Sequence, residues 1–259
     1  MRVARGWAIL PAPMIVNLEI EDACLRLLGL NGYTLQDFAI RRGLSQLVGA
    51  KADLEIEDTD PNRPIPEATK QELRNYLLGT VETPEALLLL MQSGLDRSRL
   101  QKELERAKKV AQELEEIRSS ESSRIKDNSL RRRVAIADYF QTVINPKLCT
   151  FLMSIGSDPY ILASKALIDQ KSTIRFFQSM PTSYCLVMLT FYRDMQRARR
   201  IQPNDVNDIM SLSIAIPYSD VVVTERMWHT AILHTKLDKL YKTTVLKSAR
   251  DLDSILKEI

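Results

Sequence analysis

Turn-forming residues are scarce. The 259 residues include 8 glycines and 11 prolines, about 7% of the chain against a usual ~12%. So few turn formers argue against a many-stranded barrel or sandwich and for long helices. Aromatics are also few, at 6%. Cys24, Cys149 and Cys185 lie far apart with no Cys-x-x-Cys pair, so neither a disulfide framework nor a thiolate zinc site is expected. Reduced thiols in a cytoplasmic setting are the plain reading. His229 and His234 do not align on one helix face, which speaks against a histidine metal centre. Long apolar runs are missing too. The stretch Met1–Val16 is broken by Pro11 and Pro13 and runs into Glu19, Glu21 and Asp22, and Ala86–Met91 is far too short to cross a bilayer. Neither a signal peptide nor a membrane span is expected. A net charge of +3 is too mild to announce a nucleic-acid binder but leaves room for a local basic patch.

What is present is a soluble-type composition, 45% hydrophobic and 27% charged, with helical patterning over most of its length. A short strand over Gly6–Leu10 is followed by helices over Met14–Leu30 and Thr34–Leu47. Lys51–Pro66 reads as an acidic, proline-bearing loop, and helices follow over Pro66–Leu78 and Pro84–Ser93. Asp96–Arg118 gives the clearest helix. Leu100, Leu104, Ala107, Ala111 and Leu114 alternate in steps of four and three, the mark of a narrow packing stripe. A break is expected at Ser119–Ser123. Further helices are expected over Ser129–Val143, Pro159–Gln170, Ser172–Gln178 and Ser183–Arg199.

The last sixty or so residues change character. Pro203–Ile216 reads as a helix capped by Asn204 and stopped by Pro217. Asp220–Thr224 and Thr243–Leu246 read as short buried strands separated by a helix over Glu225–Leu240, with a closing helix over Asp251–Ile259. Helix, strand, helix, strand, helix implies a parallel βαβ unit, and hence a helix-rich α/β fold.

Open parallel sheets place their sites at the carboxyl ends of strands. That edge should hold Thr224 and Glu225, and the N-terminus of the preceding helix should bring Asp205 and Asp208 to the same place. Glu19, one turn into the first helix, is a fourth candidate. Carboxylates gathered without a matching cation suit a hard divalent ion, Mg²⁺ or Mn²⁺. Such an ion can orient a water and steady the charge on a phosphodiester under attack.

The stretch Asn204–Glu225 resembles the C-terminal motif of PIN-domain ribonucleases, in which an acid opens a helix and a later strand ends beside another acid. Thr243–Leu256 is similar to that family's closing strand and helix, and Gly6–Glu19 to its second strand and the helix bearing its second acid. The family's first strand, with its aspartate, has no counterpart in the chain as given. The resemblance implies a small parallel sheet of PIN-like type built from 1–31 and 181–259, with 32–180 as a large helical insertion. It implies metal-dependent hydrolysis of RNA, with Asp208, Glu225 and Glu19 as catalytic residues. Asp205, Asp208, Glu225 and Glu19 would hold the metal, and Thr224, Arg197 and Arg200 would contact substrate. Toxin or phage-defence roles are common in such families.

Plainer readings stand beside these. Asp205 and Asp208 also fit ordinary charges in a helix's first turn, and Arg193, Arg197, Arg199 and Arg200 also fit charges closing a helix. The interleaved charges of 96–118 and Arg131–Arg133 suit a solvated face as well as an RNA-gripping arm. The alternative function is a catalytically inactive PIN-like scaffold, acting as a helical protein-interaction module through the 96–118 helix.

Overall fold

Local signals set several helix starts. In the computed structural model, which describes residues 7–9, 12–35, 40–42, 64–77 and 97–252, two aspartates and two prolines open four of the helices. Asp127 accepts from the Ser129 N–H (2.8 Å) to cap α4 (Asn128–Tyr139). Asp169 accepts from the Ser172 N–H (2.7 Å) to cap α7 (Gln170–Gln178). Pro146 and Pro181 occupy the first turns of α5 (Asn145–Ser154) and α8 (Pro181–Met195), where a missing N–H costs nothing. The first helix, α1 (Ala12–Leu27), ends on Gly29 at φ +76°. There Leu30 N–H returns to the Leu25 carbonyl (2.9 Å) and Gly29 N–H to that of Arg26 (3.0 Å), a Schellman closure.

The described residues divide between two compact units. The smaller comprises Met1–Pro11 with Gln36–Arg106. Within it β1 (Trp7–Ile9) pairs antiparallel with β2 (Ile40–Arg42), and α2 (Glu67–Leu77) follows. A helix over 34–47 is therefore corrected at 40–42: the ladder groups of β1 need a partner, and this segment supplies it. The larger unit comprises Ala12–Leu35 with Ala107–Ile259. These boundaries differ from a core of 1–31 with 181–259 and an insertion over 32–180. Residues 107–180 share one apolar core with the C-terminal segment, and β1 pairs within the smaller unit. The helix over 84–93, the acidic loop as far as residue 63 and the end of the closing helix lie outside the described residues.

Helix α8 organises the larger unit. It packs against α1, α4, α7, α9 (Asp205–Tyr218) and α10 (Arg226–Thr235). A helix apolar nearly all round belongs in the interior, and Tyr184, Cys185, Val187, Met188 and Leu189 are all buried. The larger unit also holds α5, α6 (Tyr160–Lys165), α7 and, from Ala107 on, α3 (Arg97–Arg124). The long α3 continues through the expected break at Ser119–Ser123. Its last turns are tied down by buried Arg118, which donates to the carbonyls of Gln196 (3.3 Å) and Arg199 (3.0 Å) and pairs with Glu115. Ala111 of the leucine stripe is buried and Leu104 is exposed.

Helices α4 and α5 are joined without a break by a π-turn, Phe140–Ile144, in which Asn145 N–H bonds the Phe140 carbonyl. Pro146 follows and cannot donate to the ladder. The buried residues Ile136, Phe140, Ile144, Leu148 and Leu152 recur every fourth position. In a regular helix each such step drifts by about 40°. The wider π-turn offsets that drift and keeps all five facing the core.

At the C-terminal end β3 (Val221–Val223) and β4 (Thr244–Leu246) pair in parallel, with Val222 opposite Val245. Two helices cross between them where one was expected: α10 and α11 (Leu237–Tyr241), split by Lys236 in the left-handed conformation at φ 59°. The fold is thus helix-rich α/β with a small parallel sheet. Among the described residues no helix is long and apolar enough to cross a membrane.

Candidate functional site

The carboxyl edge of β3 is where the acids were expected to meet, and three of the four gather there. Thr224 carries the ladder one residue further, donating its N–H to the Leu246 carbonyl (3.0 Å). Glu225 follows as the N-cap of α10, exposed and with no side-chain cap bond. The start of α9 reaches the same edge. Asp208 accepts from the indole N–H of Trp228 (3.0 Å), three residues beyond Glu225.

The electrostatics of this edge differ from those read in the sequence. Asp205 is fully buried, and both its oxygens are taken by the guanidinium of Arg199, at 2.7 Å each. It also accepts from the Gln202 N–H (2.8 Å). Arg199 is held above its ordinary pKa, first by its hydrogen bond to Asp205 and then by the charges of Asp205, Glu225 and Asp208, while partial burial works the other way. The three acids therefore do have a matching cation. The loop before α9 folds back so that Arg199 reaches them, and α3 holds that loop. Glu115 accepts from the Ile201 N–H (3.0 Å), which, with Arg118, lowers its pKa. Among the described residues no three His, Cys, Asp or Glu side chains group so as to hold a metal ion.

Asn204 stands at the N-cap of α9 but makes no side-chain cap bond. Asp205 closes the turn in its place. The run of arginines does not act as one patch. Arg193 is buried against Asp194 (2.8 Å), Arg199 joins the acids, and Arg197 and Arg200 are exposed.

Glu19 is elsewhere. It is completely buried between α1, α8 and α9, where its Oε1 accepts from the Thr182 N–H (2.8 Å) and the Tyr218 hydroxyl (2.6 Å). It thus caps α8 from a distant part of the chain, in place of Met180, which makes no side-chain cap bond. Tyr218 ends α9 and Asp208 lies in its first turn. The ten-residue step from one to the other spans about 15 Å of helix. Glu19 therefore serves the opposite end of α9 and does not join Asp205, Asp208 and Glu225. Burial pushes its carboxyl up to about 7, against the pull of the bonds from Thr182 and Tyr218.

Trp228 is both core and a partner of Asp208. Its place one helical turn after Glu225 is the signal that points to it. Arg199, six residues ahead of Asp205, carried no such signal, because a loop conformation brings it round.

Replacing Asp205 with Asn tests the fastening role. Removing the carboxylate breaks the two-pronged bond to Arg199 and weakens the Gln202 turn. We expect Asp205→Asn to lose about 1–3 kcal/mol of unfolding free energy in urea titrations, whereas exposed Glu225→Gln changes it by less than about 0.5 kcal/mol.

Set against protein-family models, curated proteins and solved structures, the chain matches none.

Proposed function

We propose that the chain is a non-enzymatic binding protein whose acidic edge is a structural fastener on a PIN-like βαβ scaffold. The observation that carries this reading is the Arg199–Asp205 pair. A guanidinium takes both oxygens of the most buried of the three acids and shares its charge with the other two, the role a divalent cation would otherwise fill. With the acids compensated and Glu19 spent on capping α8, the edge stiffens the junction of α9, β3 and α10. Binding then falls to other surfaces of the larger unit, among them the part of α3 from Ala107 on, where Ile117 is exposed.

A ribonuclease reading has one observation in its favour: Asp208 and Glu225 do meet at the carboxyl edge of β3, and exposed Arg197 and Arg200 lie just before α9 in sequence. The two readings separate in one assay. Incubated with labelled single-stranded RNA and Mg²⁺ or Mn²⁺, the full chain is expected to leave the RNA intact. Metal-dependent cleavage that disappears in Asp208→Ala would overturn the binding reading in favour of the nuclease.

A further inference from the structure

A cavity of about 720 Å³ opens between the end of α3, α4 and α8, within the 300–1,000 Å³ range of small-molecule sites. Leu114, Ile117, Val134, Leu186 and Phe191 give it apolar walls. Three arginines set into those walls, Arg118, Arg131 and Arg193, are each more than nine-tenths buried.

Two of these charges are answered within the chain. Arg118 pairs with Glu115 and bonds the carbonyls of Gln196 and Arg199, and Arg193 pairs with Asp194. Arg131 is not answered. It is 7% exposed, and its buried Nη1 has no hydrogen-bond partner among the described residues. Asp138 also lines the cavity, two turns along α4, and leaves that Nη1 without an acceptor. A buried cation is tolerated when it is paired and hydrogen-bonded, and a guanidinium presents a planar fork that matches a carboxylate.

We propose that this cavity binds a small organic acid, with its apolar body against the α3–α4–α8 walls and its carboxylate on the Arg131 guanidinium. Volume favours a small molecule over a protein segment, and the buried Arg131 Nη1–H left without an acceptor calls for an acceptor-bearing head group, for which a carboxylate matches the guanidinium fork. The proposal rests on the binding-protein reading, since it names what such a protein would hold.

Decanoate, kept below its micellar concentration, serves as the probe, with decanol as the neutral counterpart. In isothermal titrations of the full chain, decanoate is expected to bind saturably and decanol at least about tenfold more weakly, the effect of one charge-assisted hydrogen bond. Arg131→Met should cost decanoate that same factor and leave decanol unchanged. Val134→Trp, at an exposed position on the cavity wall, should weaken both ligands without touching the charge, which guards against misreading an unfolded Arg131 variant. Equal binding of decanoate and decanol, undiminished decanoate binding by Arg131→Met, or no decanoate binding by the wild type would each overturn the proposal. RNA cleavage by the chain would sink the binding-protein reading while leaving a positive titration standing; a flat titration without cleavage sinks the ligand alone.

Discussion

Unfolding free energy is expected to fall by about 3 kcal/mol as pH rises from about 4.5 to 7, and Glu19→Gln should remove most of that slope. The carboxyl of Glu19 titrates at about 7 in the folded chain against 4.5 for the free group, and each unit of such a difference corresponds to about 1.4 kcal/mol. The folded state therefore holds a proton that the unfolded state releases between those two values. Stability from this group is fully present below pH 4.5, is lost as pH climbs through 7, and is flat above. Burial pushes Cys185 and Tyr218 well above their ordinary values, so these two neighbours stay protonated and add no slope in the window.

Gln at position 19 keeps an oxygen for the Thr182 N–H and the Tyr218 hydroxyl. It also brings an amide that can donate toward the buried hydroxyl oxygens of Thr182 and Ser183, neither of which meets hydrogen-bond geometry with a partner among the described residues. The variant should thus equal or exceed wild-type stability at pH 8. Glu19→Ala should do the reverse, losing about 2–4 kcal/mol, because it leaves a buried N–H and a buried hydroxyl without an acceptor. Urea titrations at several pH values check both. A wild-type curve flat between pH 4.5 and 7.5, or a slope retained in Glu19→Gln, would show that Glu19 is not the titrating group.

Trp228→Ala is expected to cost about 3–5 kcal/mol. Its indole is among the largest fully buried side chains and lies in the core shared by α8, α9 and α10. Loss of the ring leaves a cavity and frees Asp208 of its donor. Trp228→Phe separates the two effects: it fills most of the space but cannot donate, so it should cost about 1–2 kcal/mol more than the same change made in an Asp208→Ala background, where no acceptor is left. Chemical denaturation of the single and double variants measures the coupling. Full additivity would show that the Trp228–Asp208 bond contributes nothing.

These predictions trace which parts of the fold short-range pattern discloses. The helices over Ser129–Val143, Ser172–Gln178 and Ser183–Arg199 were readable to within two residues of their starts, because a cap or a first-turn proline acts within a few residues, whereas α5, opened by Pro146, was not read. The pair Val221–Val223 and Thr244–Leu246 was readable because a short β-branched run between helices has few other ways to satisfy its backbone. Once the strands are parallel, chain direction alone brings Asp205, Asp208 and Glu225 to one edge.

Contacts across the fold decided the rest. Arg199 is an ordinary basic residue until Arg118 and Glu115, more than eighty positions upstream, hold its loop in place. Glu19 sits in the pattern of an acid opening a site, yet it became a cap, because α1 lies where α8 begins. Residues 40–42 follow a helical pattern but pair with β1. Periodicity and capping act over one or two turns, so they settle which segments are helix or strand. Whether an acid meets a cation, a helix end or solvent depends on neighbours that only the packed chain supplies.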